Sequence, residues 1–186
     1  MSVRADAKGN RARILDTYLE LIRPRRLEPT ISDVAAAADV ARVTLYRHFP
    51  DKDALRHAAF VHALDEADEH IRRAVAEPEP VERGLAELIA GLLGAGMRIH
   101  LLLNGQDYFE PELVHRWNTW KRPIVRFVQS AQQRGELRAD LPSGWLVEIL
   151  LALIQAAVVT PEHLARHDTT TAVLETFLHG AGPRPS

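Results

Sequence analysis

Residues 30–49, TISDVAAAADVARVTLYRHF, constrain this chain more than any other stretch. Ile31, Val34, Ala35 and Ala38 recur at three- and four-residue steps, which predicts a short amphipathic helix. Thr30 and Asp33 have the spacing of a capping box at its start, with Asp in place of the commoner Glu. Asp39 falls at a tight turn. Glycine is easiest there if the turn needs positive φ, and Asp tolerates that region better than most residues. A second short helix is predicted from about Arg42 to His48. At about 100° per residue, Leu45 and Phe49 turn inward while Val43, Thr44 and Arg47 turn outward, flanked by Tyr46 and His48. Two short helices with polar and aromatic groups on the outer face of the second have the layout of a helix-turn-helix, which reads duplex DNA.

The charge distribution supports an anionic partner for this part alone. The chain has a net charge of −2, yet residues 1–52 carry ten Lys/Arg against seven Asp/Glu, leaving 13 against 18 in the remainder. A basic first third attached to an acidic body fits a polyanion bound by the first third. The absence of cysteine excludes disulfides, thiolate chemistry and cysteine-ligated zinc or iron–sulfur centres. The basic N-terminus is not followed by an apolar run of signal-peptide type. The longest greasy runs, residues 99–103 and 149–159, fall short of the ~20 residues that span a bilayer. A soluble cytoplasmic protein without a membrane partner is the expectation.

The rest of the chain reads as helices. Residues 1–9 lack apolar periodicity, which suits either a solvated end or a basic arm on phosphates. From Asn10, Ile14, Leu15, Tyr18, Leu19 and Ile22 mark a helix ended by Pro24. Asp51 can cap a long segment from Lys52 to about Ala76, broken by the EPEP run at 77–80. Residues 81–103 form another helix, whose four glycines suggest close packing, a break or room for a ligand. Residues 111–134 carry a regular stripe of Leu113, Trp117, Trp120, Ile124, Phe127 and Ala131, which Pro123 should kink or divide. Gly135 supplies a C-cap. The next helix, begun at Leu141-Pro142, is apolar over most of its circumference and so is expected to be buried on more than one side. Asp168 caps the last helix, which stops at Gly180.

The run from Val34 and Ala35 through Asp39 and Val40 to TLYRHFPDK, residues 44–52, with Leu55 after it, resembles the TetR family of bacterial transcriptional repressors. The resemblance covers about residues 10–60, with a weaker likeness at GELRAD, residues 135–140, where the family joins two late helices. It implies an all-α fold: a three-helix helix-turn-helix DNA-binding domain over residues 1–54, a connecting helix over 55–76, and a helical effector-binding and dimerisation domain over 77–186. It implies a homodimer through the last two helices, an operator of double-stranded DNA, and a small-molecule effector that shifts the connecting helix and releases the DNA. It assigns Thr30, Tyr46, His48 and Lys52 to phosphates, and Thr44 to a base or phosphate. Arg42, Val43 and Arg47 complete the DNA-facing set. Arg47 can pair with a guanine edge or grip a phosphate, and Val43 can meet thymine methyls. The sequence departs from the family's pattern at Arg26, Asp39 and Val43, where glycine is usual, and at Ala41, where a capping serine is usual.

Candidates for the effector pocket are Met97, His100, Tyr108, Phe109, Trp117, Trp120, Phe127 and Gln155. Few charges fall on these faces, so an apolar or aromatic effector is expected. His163 and His167 have i, i+4 spacing but no third ligand at a fixed distance, and no metal or cofactor is assigned. No nucleophile motif or phosphate-binding glycine loop points to an enzyme. The expected function is a ligand-released repressor on a palindromic operator. The alternatives are a transcriptional activator, a helical binding module without specific DNA affinity, and an enzyme using the helical body as a pocket.

Overall fold

The computed structural model describes residues 3–22, 28–76, 80–102 and 111–181, without the side chains of residues 3–8, 111–113, 117, 118, 180 and 181. The described residues form eight α-helices and no strand: α1 (Val3–Leu21), α2 (Ile31–Ala37), α3 (Arg42–His48), α4 (Lys52–Ala76), α5 (Val81–Leu102), α6 (Pro111–Gln133), α7 (Ser143–Val159) and α8 (Thr169–Ala181), with a 3-10 turn at Pro161–Leu164. The first helix begins at Val3, upstream of the expected Asn10, so the basic start of the chain continues α1.

A small head packs α1 against α2 and α4, with α3 against α2. Its core is the inward set predicted from periodicity: Ile14, Leu15, Tyr18, Val34, Leu45, Phe49 and Leu55 are all buried. The Arg11 guanidinium lies 5.3 Å from the centre of the Phe49 ring, stacking α1 over the end of α3. Helix α4 leaves the head and runs along α5 and α6 of the body. There, Leu64, Ala67 and Ile71 of α4 meet a core built from Leu85, Leu88, Ile89, Ile124, Phe127, Leu150, Ile154 and Phe177.

Two glycines set the closeness of this packing. A Cβ at Gly91 would lie 2.6 Å from both Cβ and Cγ of His70 on α4, and one at Gly84 would lie 2.7 Å from Phe127 Cζ. Glycine therefore lets α5 approach both neighbours. By length and composition α5 matches a membrane span, unlike the short runs read from the sequence. Its contacts with α4, α7 and α8, and its row of buried residues, make it a central helix of this body.

Pro123 does not divide α6, which runs unbroken from Pro111 to Gln133. Trp120, Ile124 and Phe127 are buried on either side of it, and that packing holds the helix across the missing N–H. Gly135 takes a φ of +78°, as a C-cap requires, and the Glu136 amide closes back on the Ala131 carbonyl. The Gln132 side-chain amide then donates to the carbonyls of Arg138 and Leu141, fixing the joint between α6 and α7.

Helix α7 departs from expectation. Its buried side carries Leu146, Val147, Leu150, Leu151, Ile154, Ala157 and Val158. The opposite side is a second stripe, Trp145, Ile149, Ala152, Ala156 and Val159, and all five are exposed. The second apolar side is uncovered in one chain.

Candidate nucleic-acid interface and effector cavity

Helix α2 begins in a complete capping box. The Thr30 hydroxyl accepts from the Asp33 amide at 3.2 Å, and the Asp33 carboxylate accepts from the Thr30 amide at 2.8 Å. The hydrogen bonds from the Thr30 hydroxyl and amide hold the Asp33 carboxyl below its usual range. Asp39 at the turn has φ +51°, the left-handed conformation that glycine would have entered more easily. Ala41 stands at the N-cap of α3 and makes no side-chain cap, as the missing serine implies. The start of α3 therefore leaves backbone amides unsatisfied by its own cap, next to the side chains that face outward.

Those side chains form one face. Val43 is 75% exposed and Tyr46 50%, with Arg42 and Arg47 also exposed and Thr44 half-buried. Two expected contacts, His48 and Lys52, differ in detail. His48 is half-buried, and its Nε2 is enclosed without a hydrogen-bond partner among the described residues. Lys52, the first residue of α4, is paired with Glu28 at 2.9 Å. Arg11 lies over Phe49. Glu28, which sequence reasoning did not single out, also accepts the hydroxyl proton of the buried Tyr18. Desolvation raises the Glu28 carboxyl, but the hydrogen bonds from Tyr18 and Lys52 outweigh it and leave the group below its ordinary range. Burial, followed by the bond to Glu28, pushes the Tyr18 phenol up.

The body holds a cavity of about 470 Å³ walled by α4, α5, α6 and α7. Of the sequence candidates, Trp120 and Gln155 line it. Met97 and His100 on α5 and Phe127 on α6 do not; Phe127 sits instead in the core against Gly84. Tyr108 and Phe109 lie outside the described residues, as does the side chain of Trp117. The lining that sequence reasoning missed is largely aliphatic or small: Ala67, Leu92, Ala95, Gly96, Ile99, Leu151, Ala152 and Val158, with Val114 and the carboxylate of Glu148. Glu148 is paired with Lys121 at 2.7 Å.

Polar links tie the cavity walls to α4. The Trp120 indole N–H donates to Asp68, which also accepts from Arg116, and Arg116 reaches Asp65 at 2.7 Å. From α5, Arg98 bonds Glu66 at 2.5 Å. One turn earlier on α4, His62 lies 2.7 Å from Asp16 of α1. Helix α4 is thus hydrogen-bonded to two cavity walls and to the head.

Comparison with known proteins decides which fold family this is. The profile described as "Bacterial regulatory proteins, tetR family" matches residues 14–59, the span from the core of α1 to Ala59 of α4. Over these residues the chain belongs to the TetR family. It is 26% identical over 181 residues to the transcriptional repressor LfrR of Mycolicibacterium smegmatis, covering 96% of this chain and 94% of that one. It is 27% identical over 138 residues to the repressor DhaR of Mycobacterium sp. strain GP1, covering 69% and 70%. The crystal structure of LfrR in complex with proflavine superposes with a TM-score of 0.64 at 27% identity, covering 95% of this chain and 99% of that one. The TetR fold, all-helical with an N-terminal helix-turn-helix head, is therefore the fold of this chain, and the chain is a DNA-binding transcriptional regulator.

Proposed function

We propose that the protein is a homodimeric repressor. Its two heads hold a roughly palindromic operator, and an apolar or aromatic small molecule entering the cavity releases them. One observation carries the ligand-responsive part: the helix that leaves the head is also a wall of the cavity. Ala67 of α4 lines it, and Trp120 on the facing wall is hydrogen-bonded to the adjacent Asp68. A molecule that repositions Trp120 acts on α4 directly. Release is a population shift, so the ligand must favour the DNA-incompetent arrangement by its differential affinity. The nearly apolar lining and the indole suit a planar aromatic molecule, and the proflavine complex of LfrR is consistent with that class.

At the head, Val43, Thr44 and Arg47 face base edges, with Arg42 at the helix start, and Thr30, Tyr46, His48 and Lys52 serve phosphates. For His48 this requires its ring to turn from the enclosed position. Phosphate contacts supply much of the affinity, which falls steeply with salt. The exposed α7 stripe of Trp145, Ile149, Ala152, Ala156 and Val159 supplies the apolar surface for pairing through α7 and α8. Two-fold pairing makes the operator palindromic. The working place of such a regulator is the cytoplasm. The domain limits that fit are 1–54 for the head, 55–76 for the connector and 77–186 for the body.

The test is selection from a random duplex library followed by footprinting. An enriched palindrome is expected, and its absence would sink the repressor reading. Proflavine should then quench the tryptophan fluorescence and lower affinity for the selected duplex.

A further inference from the structure

Lys52 is placed to meet a phosphate, yet it is already paired. Its ammonium lies 2.9 Å from Oε2 of Glu28, while Oε1 of the same carboxylate accepts the Tyr18 hydroxyl. Each carboxylate oxygen thus has its own donor. Tyr18 is fully buried, so moving the carboxylate away from Lys52 would leave a buried hydroxyl unsatisfied. Glu28 also stands two residues before Thr30, the other phosphate candidate on this side of the head. Arg56 faces the same carboxylate but is shared with Asp53, 3.9 Å away. A fixed negative charge therefore sits on one phosphate anchor, Lys52, and two residues before the other, Thr30, in the chain.

We propose that Glu28 is an internal competitor of the DNA phosphate for Lys52, and that it sets the strength of DNA binding without taking part in sequence reading. The inference rests on the assignment of Lys52 to a phosphate. A phosphate reaching Lys52 meets an ammonium whose charge is already compensated, beside a carboxylate held in place by Tyr18. Affinity for all duplexes is lowered together, and fewer counterions are released than the count of basic residues suggests. The base-facing residues lie on α3, which carries neither member of this pair, so discrimination between sequences is expected to stay unchanged. A moderated grip of this kind lets a modest shift in the body empty the operator.

The experiment measures binding of the full-length protein to a labelled random-sequence duplex and to the selected operator across a salt series. Glu28→Gln keeps the shape and can still accept the Tyr18 hydroxyl. It is expected to tighten both duplexes by a similar factor, about three- to tenfold, as expected for one charge near a phosphate in a high-dielectric setting. It is also expected to steepen the salt slope by ~0.9 per head. In a Lys52→Ala background the gain should shrink below about twofold, because the competitor has lost its object. Equal or weaker binding by a folded Glu28→Gln protein overturns the proposal and leaves Glu28 as a residue that merely positions Lys52. An undiminished gain without Lys52 also overturns it. If Glu28→Gln does not fold, Glu28→Ala removes the same charge and must give a gain in the same direction; no gain refutes the idea. Failure of the parent to bind any duplex at low salt is a different result, which removes the DNA-contact assignment and this inference with it.

Discussion

Gly91 and Gly94 lie one turn apart on α5 and should respond oppositely to the same substitution. A methyl group at Gly91 would meet His70 Cβ and Cγ at 2.6 Å, far inside normal contact. Because one of those atoms is tied to the α4 backbone, a rotamer change of His70 cannot clear it. The helices must part, and such overpacking costs roughly 1–3 kcal/mol. Alanine returns up to ~1 kcal/mol of helix propensity. With the clash at the upper end, Gly91→Ala should destabilise the protein by about 1–2 kcal/mol. For a chain of this size that is a fall in Tm of roughly 2–8 °C. Nothing lies within 4 Å of a Cβ at Gly94, so Gly94→Ala keeps the propensity gain alone and should raise stability by about 0.5–1 kcal/mol. Thermal unfolding at one fixed protein concentration measures both, since dimerisation makes Tm concentration-dependent. Equal shifts of the same sign would refute the close α4–α5 approach as the reason for Gly91.

At the head, replacing thymine by uracil at one operator position per half-site should cost the parent about 0.8 kcal/mol for each methyl that meets Val43, and should cost Val43→Ser nothing; competition binding with position-by-position uracil duplexes reads this. Arg47→Ala should relax preference at one or two base positions, while Tyr46→Ala weakens all sequences alike, both visible in repeated selections. Trp145→Glu puts a charge in the exposed α7 stripe and should convert the dimer to monomer in sedimentation equilibrium without lowering helix content; an unchanged dimer would move the interface elsewhere. The Glu28 carboxyl lies below its ordinary range in the folded chain, so its contribution to stability is present above its unfolded pKa of about 4.3 and is lost as pH falls through the folded value. Thermal melts across that interval should show a shallower acid limb for Glu28→Gln than for the parent.

The head was legible because its determinants are local. A period of 3.6 separates Leu45 and Phe49 from Val43 and Arg47 without reference to the rest of the chain, and the Thr30–Asp33 box and the Asp39 turn each lie within a few residues. The pairing of Glu28 with Lys52 was not legible, because it joins a loop to the start of a later helix and leaves no periodic trace. The cavity failed for a different reason. Large residues such as Met97, His100 and Phe127 were singled out, but empty space is made by small ones, and Ala67, Ala95, Gly96 and Ala152 line it. Pro123 shows packing outweighing a local breaker worth ~3 kcal/mol. The circumference of α7 was read correctly as apolar, yet one chain's sequence does not distinguish a side covered by the same chain from a side kept for another.

Ala152 stands on both surfaces of α7: it lines the cavity and belongs to the exposed stripe, with the cavity carboxylate of Glu148 beside Ile149 of that stripe. A partner pressed against the stripe therefore borders the effector's compartment. If the proposed dimer forms through that stripe and the ligand shifts it, occupancy and self-association are linked, and the ligand's apparent affinity depends on protein concentration. The number of copies per cell becomes a setting of the sensor: a scarce regulator and an abundant one, identical in sequence, would respond at different doses of the same compound.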